Sequence, residues 1–136
     1  MSFNSVTMKQ FALIGFFLFL FACSDQVSED QLTNLADHNM KIIPEKPTSN
    51  DEIKLVVFDD CTYNILSGVT RNGNTIDIQK QFNSMMKWPC VIKNDTIPVG
   101  KLPSGTYTVN YKLVDLATNV SDPIALSFSF SLSVSK

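Results

Sequence analysis

Between Ile124 and Val134 the apolar side chains fall on every second position, at Ile124, Leu126, Phe128, Phe130, Leu132 and Val134, while Ser stands at 127, 129, 131, 133 and 135. Only an extended strand keeps such a series on one side, because successive side chains point to opposite faces of a sheet; a helix would scatter them around its axis. A strand with one greasy and one hydroxylated face needs a second layer to cover it. The chain therefore reads as two packed sheets.

The residues after Pro44 and Pro47 follow the same grammar of short β-branched and aromatic runs divided by turn signals, and no long helical period appears. Ile53–Phe58, apolar except at Lys54, reads as a strand buried on both faces and ended by Asp59-Asp60. Tyr63-Asn64-Ile65-Leu66 and Val69-Thr70-Arg71 lead to Asn72-Gly73, a pair suited to a type I′ hairpin turn, and Thr75-Ile76-Asp77-Ile78 returns from it with half-exposed alternation. After an irregular stretch from Asn83 to Pro89, Val91-Ile92 and Thr96-Ile97-Pro98-Val99 read as two short strands around a turn at Lys93-Asn94-Asp95. Pro98 has no amide donor, which places its strand at an edge or a bulge. A chain of 136 residues supports one core of ordinary size.

Leu102-Pro103-Ser104-Gly105-Thr106-Tyr107-Thr108-Val109-Asn110-Tyr111 resembles the corner-and-strand element of immunoglobulin-like and fibronectin-like sandwiches. That resemblance implies a single antiparallel immunoglobulin-like β-sandwich over 41–136. In it Tyr107 is the corner tyrosine bonding back to upstream backbone, Gly105 supplies the permissive turn, and Val109 points into the core. Such a module specifies a fold better than a function.

At the other end of the chain, Lys9 precedes an uncharged run from Phe11 to Ala22, the n-region and h-region of an export signal. As a helix these twelve residues would reach only about 18 Å, short of the roughly 30 Å hydrocarbon core of a bilayer. Leu20-Phe21-Ala22-Cys23 resembles the lipobox of bacterial lipoproteins, with Phe21 where a small residue is usual. The resemblance implies a signal peptide over 1–22, a diacylglycerol thioether on Cys23, cleavage before it and acylation of the new amine. The partner it predicts is a membrane, held through Cys23. Ser24 lacks the Asp that retains lipoproteins in the inner membrane, which favours the outer membrane, facing the periplasm or the cell surface. The acidic stretch Ser24–Asp30 loosely resembles the surface-export signals of Bacteroidota lipoproteins, beside the simpler reading of a solvated tether.

Residues 23–40 read as that tether, with four acidic residues and no Lys or Arg between Ser24 and Met40. A competing pattern is a short helix capped at Ser28, with Leu32, Leu35, Ala36 and Met40 at helical spacing. His38, the lone histidine, reads as an exposed, solvated residue. Beyond the signal, ten basic residues face thirteen acidic ones, a net charge of −3, and no basic patch suggests nucleic acid.

With Cys23 assigned to lipid, Cys61 and Cys90 remain as an even pair in an oxidising compartment, where a disulfide or two separate buried thiols are the alternatives. A zinc site would need more soft ligands than these and one His supply, so no metal and no other cofactor is expected. Asp59-Asp60 and Asp95 lack the spacing of a calcium loop and read as turn caps. Neither a nucleophile elbow nor a phosphate-binding glycine loop is present, so the chain is not read as an enzyme. Asp95-Thr96-Ile97 also resembles a short Bacteroidota O-glycosylation signal.

Met85, Met86 and Trp88 remain. They form either an exposed apolar contact loop or one folded inward over the end of the sandwich. The expectation that follows is a lipid-anchored, noncatalytic module that binds a protein or glycan partner or serves an envelope assembly. The other classes to weigh are a small hydrolase or hydrolase inhibitor, and a structural spacer with no specific ligand.

Overall fold

The computed structural model describes residues 35–119 and 121–136; the expected signal peptide, Cys23 and the expected tether up to residue 34 lie outside the described residues. Seven strands run through the described residues: β1 (Met40–Ile43), β2 (Ile53–Cys61), β3 (Ile65–Asn72), β4 (Thr75–Phe82), β5 (Ile92–Gly100), β6 (Gly105–Asp115) and β7 (Ile124–Val134). They form a sandwich of two sheets, one in the order β1-β2-β5 and the other β3-β4-β6-β7. The described residues form an all-β sandwich, as their period-two patterning dictates.

Among the pairings between these seven strands all are antiparallel but one: β4 and β6 run parallel, from Thr75 beside Thr108 to Phe82 beside Asp115. That departs from the all-antiparallel expectation. The cause is connectivity, since the chain leaves β4, crosses to the other sheet as β5, and returns as β6 in the same direction. Antiparallel neighbours can be joined by a tight hairpin, whereas parallel ones need such a crossover.

The core comes from inward positions on both sheets: Ile53, Leu55 and Val57 of β2, Ile76 and Ile78 of β4, Val109 and Tyr111 of β6, and Phe130, Leu132 and Val134 of β7. On β7 burial deepens along the strand, from an exposed Ile124 through half-buried Leu126 and Phe128 to the buried C-terminal half. β2 is the middle strand of its sheet. β5 lies at the edge, and an extra residue beside Pro98 shifts the register there, so the missing amide costs no ladder bond in the sheet interior.

Several local expectations are corrected. Lys93, Asn94 and Asp95 do not turn; they continue β5, paired to β2 from Cys61↔Ile92 onward. Nor do Asp59-Asp60 end β2. A bulge between Val57 and Asp60, with Asp59 at φ 53°, advances the strand by one residue and reverses its parity, so that Asp60 is the inward residue. The β3–β4 hairpin turns through Gly73 and Asn74, and only Gly73 takes a positive φ, 58°. A single positive φ at the first central residue is the type II′ pattern, not type I′.

The folded unit also begins before residue 41. Leu35 and Met40 are both buried in the core, so this end of the 23–40 segment is not a solvated tether. Leu35–Asp37 make one helical turn, with the His38 amide donating to the Leu35 carbonyl at 3.1 Å, and β1 has already started at Met40. Two well-placed apolar side chains are enough to dock the segment. His38 is half-buried rather than solvated, its ring stacked on Phe128 with centroids 3.9 Å apart.

Candidate functional site

At the end of the sandwich where β2, β4 and β6 finish and β3 and β7 begin, an apolar cavity of about 440 Å³ opens to solvent. Tyr63 and Ile65 bound it on one side, Phe82 and Leu116 on another, and Met86 and Trp88 come from the connection between β4 and β5. Trp88 is 66% exposed, Met85 58% and Met86 54%. Of the two alternatives for this loop, the structure has the outward one. Ile65 and Leu116 add exposed apolar surface beside it, at 61% and 50%.

The loop is held at both ends. At its start the Ser84 amide donates to Asp115 Oδ1 at 3.0 Å, and the Leu116 amide donates to the Phe82 carbonyl at 2.7 Å. Asn83 closes the first turn, its side-chain carbonyl accepting from the Met85 amide at 3.0 Å and its backbone carbonyl from the Met86 amide at 3.0 Å. Hydrogen bonds from Ser84 hold the Asp115 carboxyl below its ordinary range. At the far end Cys61 and Cys90 form a disulfide with Cα atoms 5.2 Å apart, and the Thr62 amide donates to the Val91 carbonyl at 3.0 Å. Such anchoring lowers the ordering cost that an apolar loop would otherwise meet on binding.

At the opposite end of the same sandwich, Gly105 opens β6 with φ 155° and the Tyr107 hydroxyl donates to the Pro103 carbonyl at 2.8 Å. The Arg71 guanidinium lies over the Tyr107 ring, 5.2 Å from its centroid. This corner closes the loop before β6 and has no part in the cavity.

Sequence reading missed a second polar centre, between the sheets. Parity along β4 buries Ile76 and Ile78 and, next in the series, Lys80, which is fully buried. Its Nζ contacts Asp60 Oδ2 on β2 and lies 2.6 Å from Asp95 Oδ2 on β5. One lysine thus bridges its own sheet to two strands of the other. The Asn64 side-chain amide donates to the other Asp60 oxygen, Oδ1, at 2.7 Å. For Asp95, partial burial acts to raise the pKa, but the hydrogen bond and charge of Lys80 outweigh it and the net shift is downward. Burial pushes the neighbouring Tyr111 hydroxyl up, and the Asp60 and Asp95 carboxylates push it further. The signal was present in Thr75-Ile76-Asp77-Ile78-Gln79-Lys80, where the apolar phase predicts an inward Lys80; the partner Asp60 was hidden by the bulge.

Among the described residues, no group of three or more His, Cys, Asp or Glu is placed to hold a metal ion, and no helix is long and apolar enough to cross a membrane. No family model, curated protein or solved structure matches this chain.

Proposed function

We propose that this chain is a cell-envelope lipoprotein, anchored through Cys23, whose noncatalytic sandwich offers the Asn83–Pro89 loop to a protein or glycan partner as an accessory part of an envelope assembly. The observation that supports the contact role is Trp88, Met85 and Met86 standing exposed beside an apolar cavity on a loop tied at both ends. Large exposed apolar side chains around a concavity mark interaction surfaces, and aromatic anchors in such positions carry a large share of binding energy. Methionine and tryptophan suit an apolar protein segment or the face of a sugar ring.

Two measurements test the two halves of the reading. Intact mass of membrane-extracted protein should show an acylated chain beginning at Cys23; an unacylated, full-length chain removes the anchor. For the contact surface, a photo-crosslinking residue replaces Met86 in cells, with the same residue at the exposed Thr106, at the far end of the sandwich, as the control. A discrete adduct specific to position 86 and lost on Trp88→Ala is expected. Equal labelling at both positions refutes the site.

A further inference from the structure

Lys80, Asp60, Asp95 and Asn64 are arranged as more than an ion pair. Nζ of Lys80 is sealed from water and touches Asp60 Oδ2, the second carboxylate of Asp95 stands 2.6 Å from the same nitrogen, and a side-chain amide donor engages Asp60 Oδ1 at 2.7 Å. The Lys80 and Asp60 side chains are 0% and 6% exposed, whereas Asp95 is 28% exposed and opens towards solvent. A buried ion pair gains little over apolar packing of the same volume, because desolvation opposes the Coulomb attraction. The same constellation holds every group required for amide formation: a nucleophile, an electrophilic carboxyl, a proton carrier and a donor on the carbonyl oxygen.

We propose that Lys80 and Asp60 condense into an intramolecular amide that covalently joins β4 of one sheet to β2 of the other, with Asp95 as the proton carrier. The ammonium proton passes to Asp60 Oδ2, leaving an amine beside a carboxylic acid. The Nζ lone pair attacks Asp60 Cγ and forms the N–C bond, while negative charge gathers on Oδ1, where the Asn64 amide N–H stabilises it. Asp95 takes a proton from the nitrogen and delivers it to Oδ2. The Cγ–Oδ2 bond then breaks, the carbonyl reforms and one water leaves past Asp95. The net reaction is amine plus acid to amide plus water; nothing is oxidised or reduced, and Asp95 ends as the carboxylate it began as. Fixed contact substitutes for concentration, at effective molarities on the order of 10⁵–10⁸ M for well-oriented groups.

The test is a peptide map of the purified full-length protein after denaturation, reduction and alkylation. Trypsin cuts after Lys54, Arg71 and Lys87, so Asp60 lies in peptide 55–71 and Lys80 in peptide 72–87 when cleavage at Lys80 is blocked. The expected result is the two peptides joined, lighter than their sum by one water, with no cut after Lys80. Free peptides 55–71 and 72–80 overturn the proposal. So does a peptide 55–71 lacking one water but unlinked, which would be a cyclised aspartate. Asp95→Asn should give a folded protein in which the two peptides separate; a linked pair in that variant overturns the role of Asp95.

Discussion

Removing the Cys61–Cys90 bond should weaken the whole domain and loosen the Asn83–Pro89 loop. The bond closes a loop with a sequence separation of 29. In the chain-entropy description, cross-linking a loop of about thirty residues restricts the unfolded chain by about 3.6 kcal/mol at 25 °C. With a urea dependence of about 1.5 kcal/mol per M for a domain of this size, the unfolding midpoint should fall by about 2.4 M. The double variant Cys61→Ser/Cys90→Ser measures this cleanly, because Cys90 is exposed and Cys61 half-buried, so serine costs little packing at either position. Near-UV circular dichroism of the buried Tyr107 and Tyr111 follows global unfolding. Native-state hydrogen exchange adds the local view: with the covalent tie gone and the Thr62–Val91 hydrogen bond and the start of the β2–β5 ladder left at the far end of the loop, amides from 84 to 91 should exchange faster than in the bonded protein. A midpoint shift below about 0.5 M urea would refute the reasoning, since the loop would then be constrained equally well without the bond.

Leu35→Ala should cost about 2–5 kcal/mol, the usual range for a fully buried leucine, read as a lower urea midpoint; no effect would return Leu35 to the tether. Tyr107→Phe removes the donor to the Pro103 carbonyl and should cost about 1 kcal/mol without altering Trp88 fluorescence, and a stability equal to wild type would show that the corner bond contributes nothing. Acid should destabilise the fold only at low pH. Backbone and side-chain hydrogen bonds from Thr48 lower the Asp51 pKa from its ordinary 3.8, as those from Ser84 do for Asp115, so their contribution is present above 3.8 and disappears as pH falls through the lower folded values. A urea midpoint that stays level down to about pH 4 and drops below it is expected, and one that rises there would reverse the sign.

The strands were legible where one face repeats without interruption. β7 needs nothing but its alternation of apolar and Ser, and the Gly73 turn located the β3–β4 hairpin although the turn type differed. What could not be read depends on non-local geometry. A polar triplet such as Lys93-Asn94-Asp95 has low strand propensity, yet β2 beside it supplies hydrogen-bond partners and Lys80 an ion partner for Asp95, and tertiary context overrides propensity. The bulge at Asp59 swaps which aspartate faces inward, and the sequence carries no mark of it. Apolar Met85, Met86 and Trp88 signal either a core or a contact surface, and which of the two depends on how Asp115 and Cys61, distant in sequence, tie the loop's two ends. Ile65 and Leu116, the walls of the cavity, lie far apart in sequence and were not singled out.

The parallel ladder between β4 and β6 also bears on how fast the chain can fold. The β3–β4 hairpin needs only a two-residue connection and can form from its own sequence. Completing that sheet requires β6 to reach β4 across a long connection that carries β5 of the opposite layer. Contacts of that kind close long loops before they return any stabilisation, which slows folding relative to a chain of successive hairpins. Until β6 docks, β4 carries an unpaired edge with Ile76 and Ile78 uncovered, the state in which such a chain is most exposed to pairing with another copy of itself.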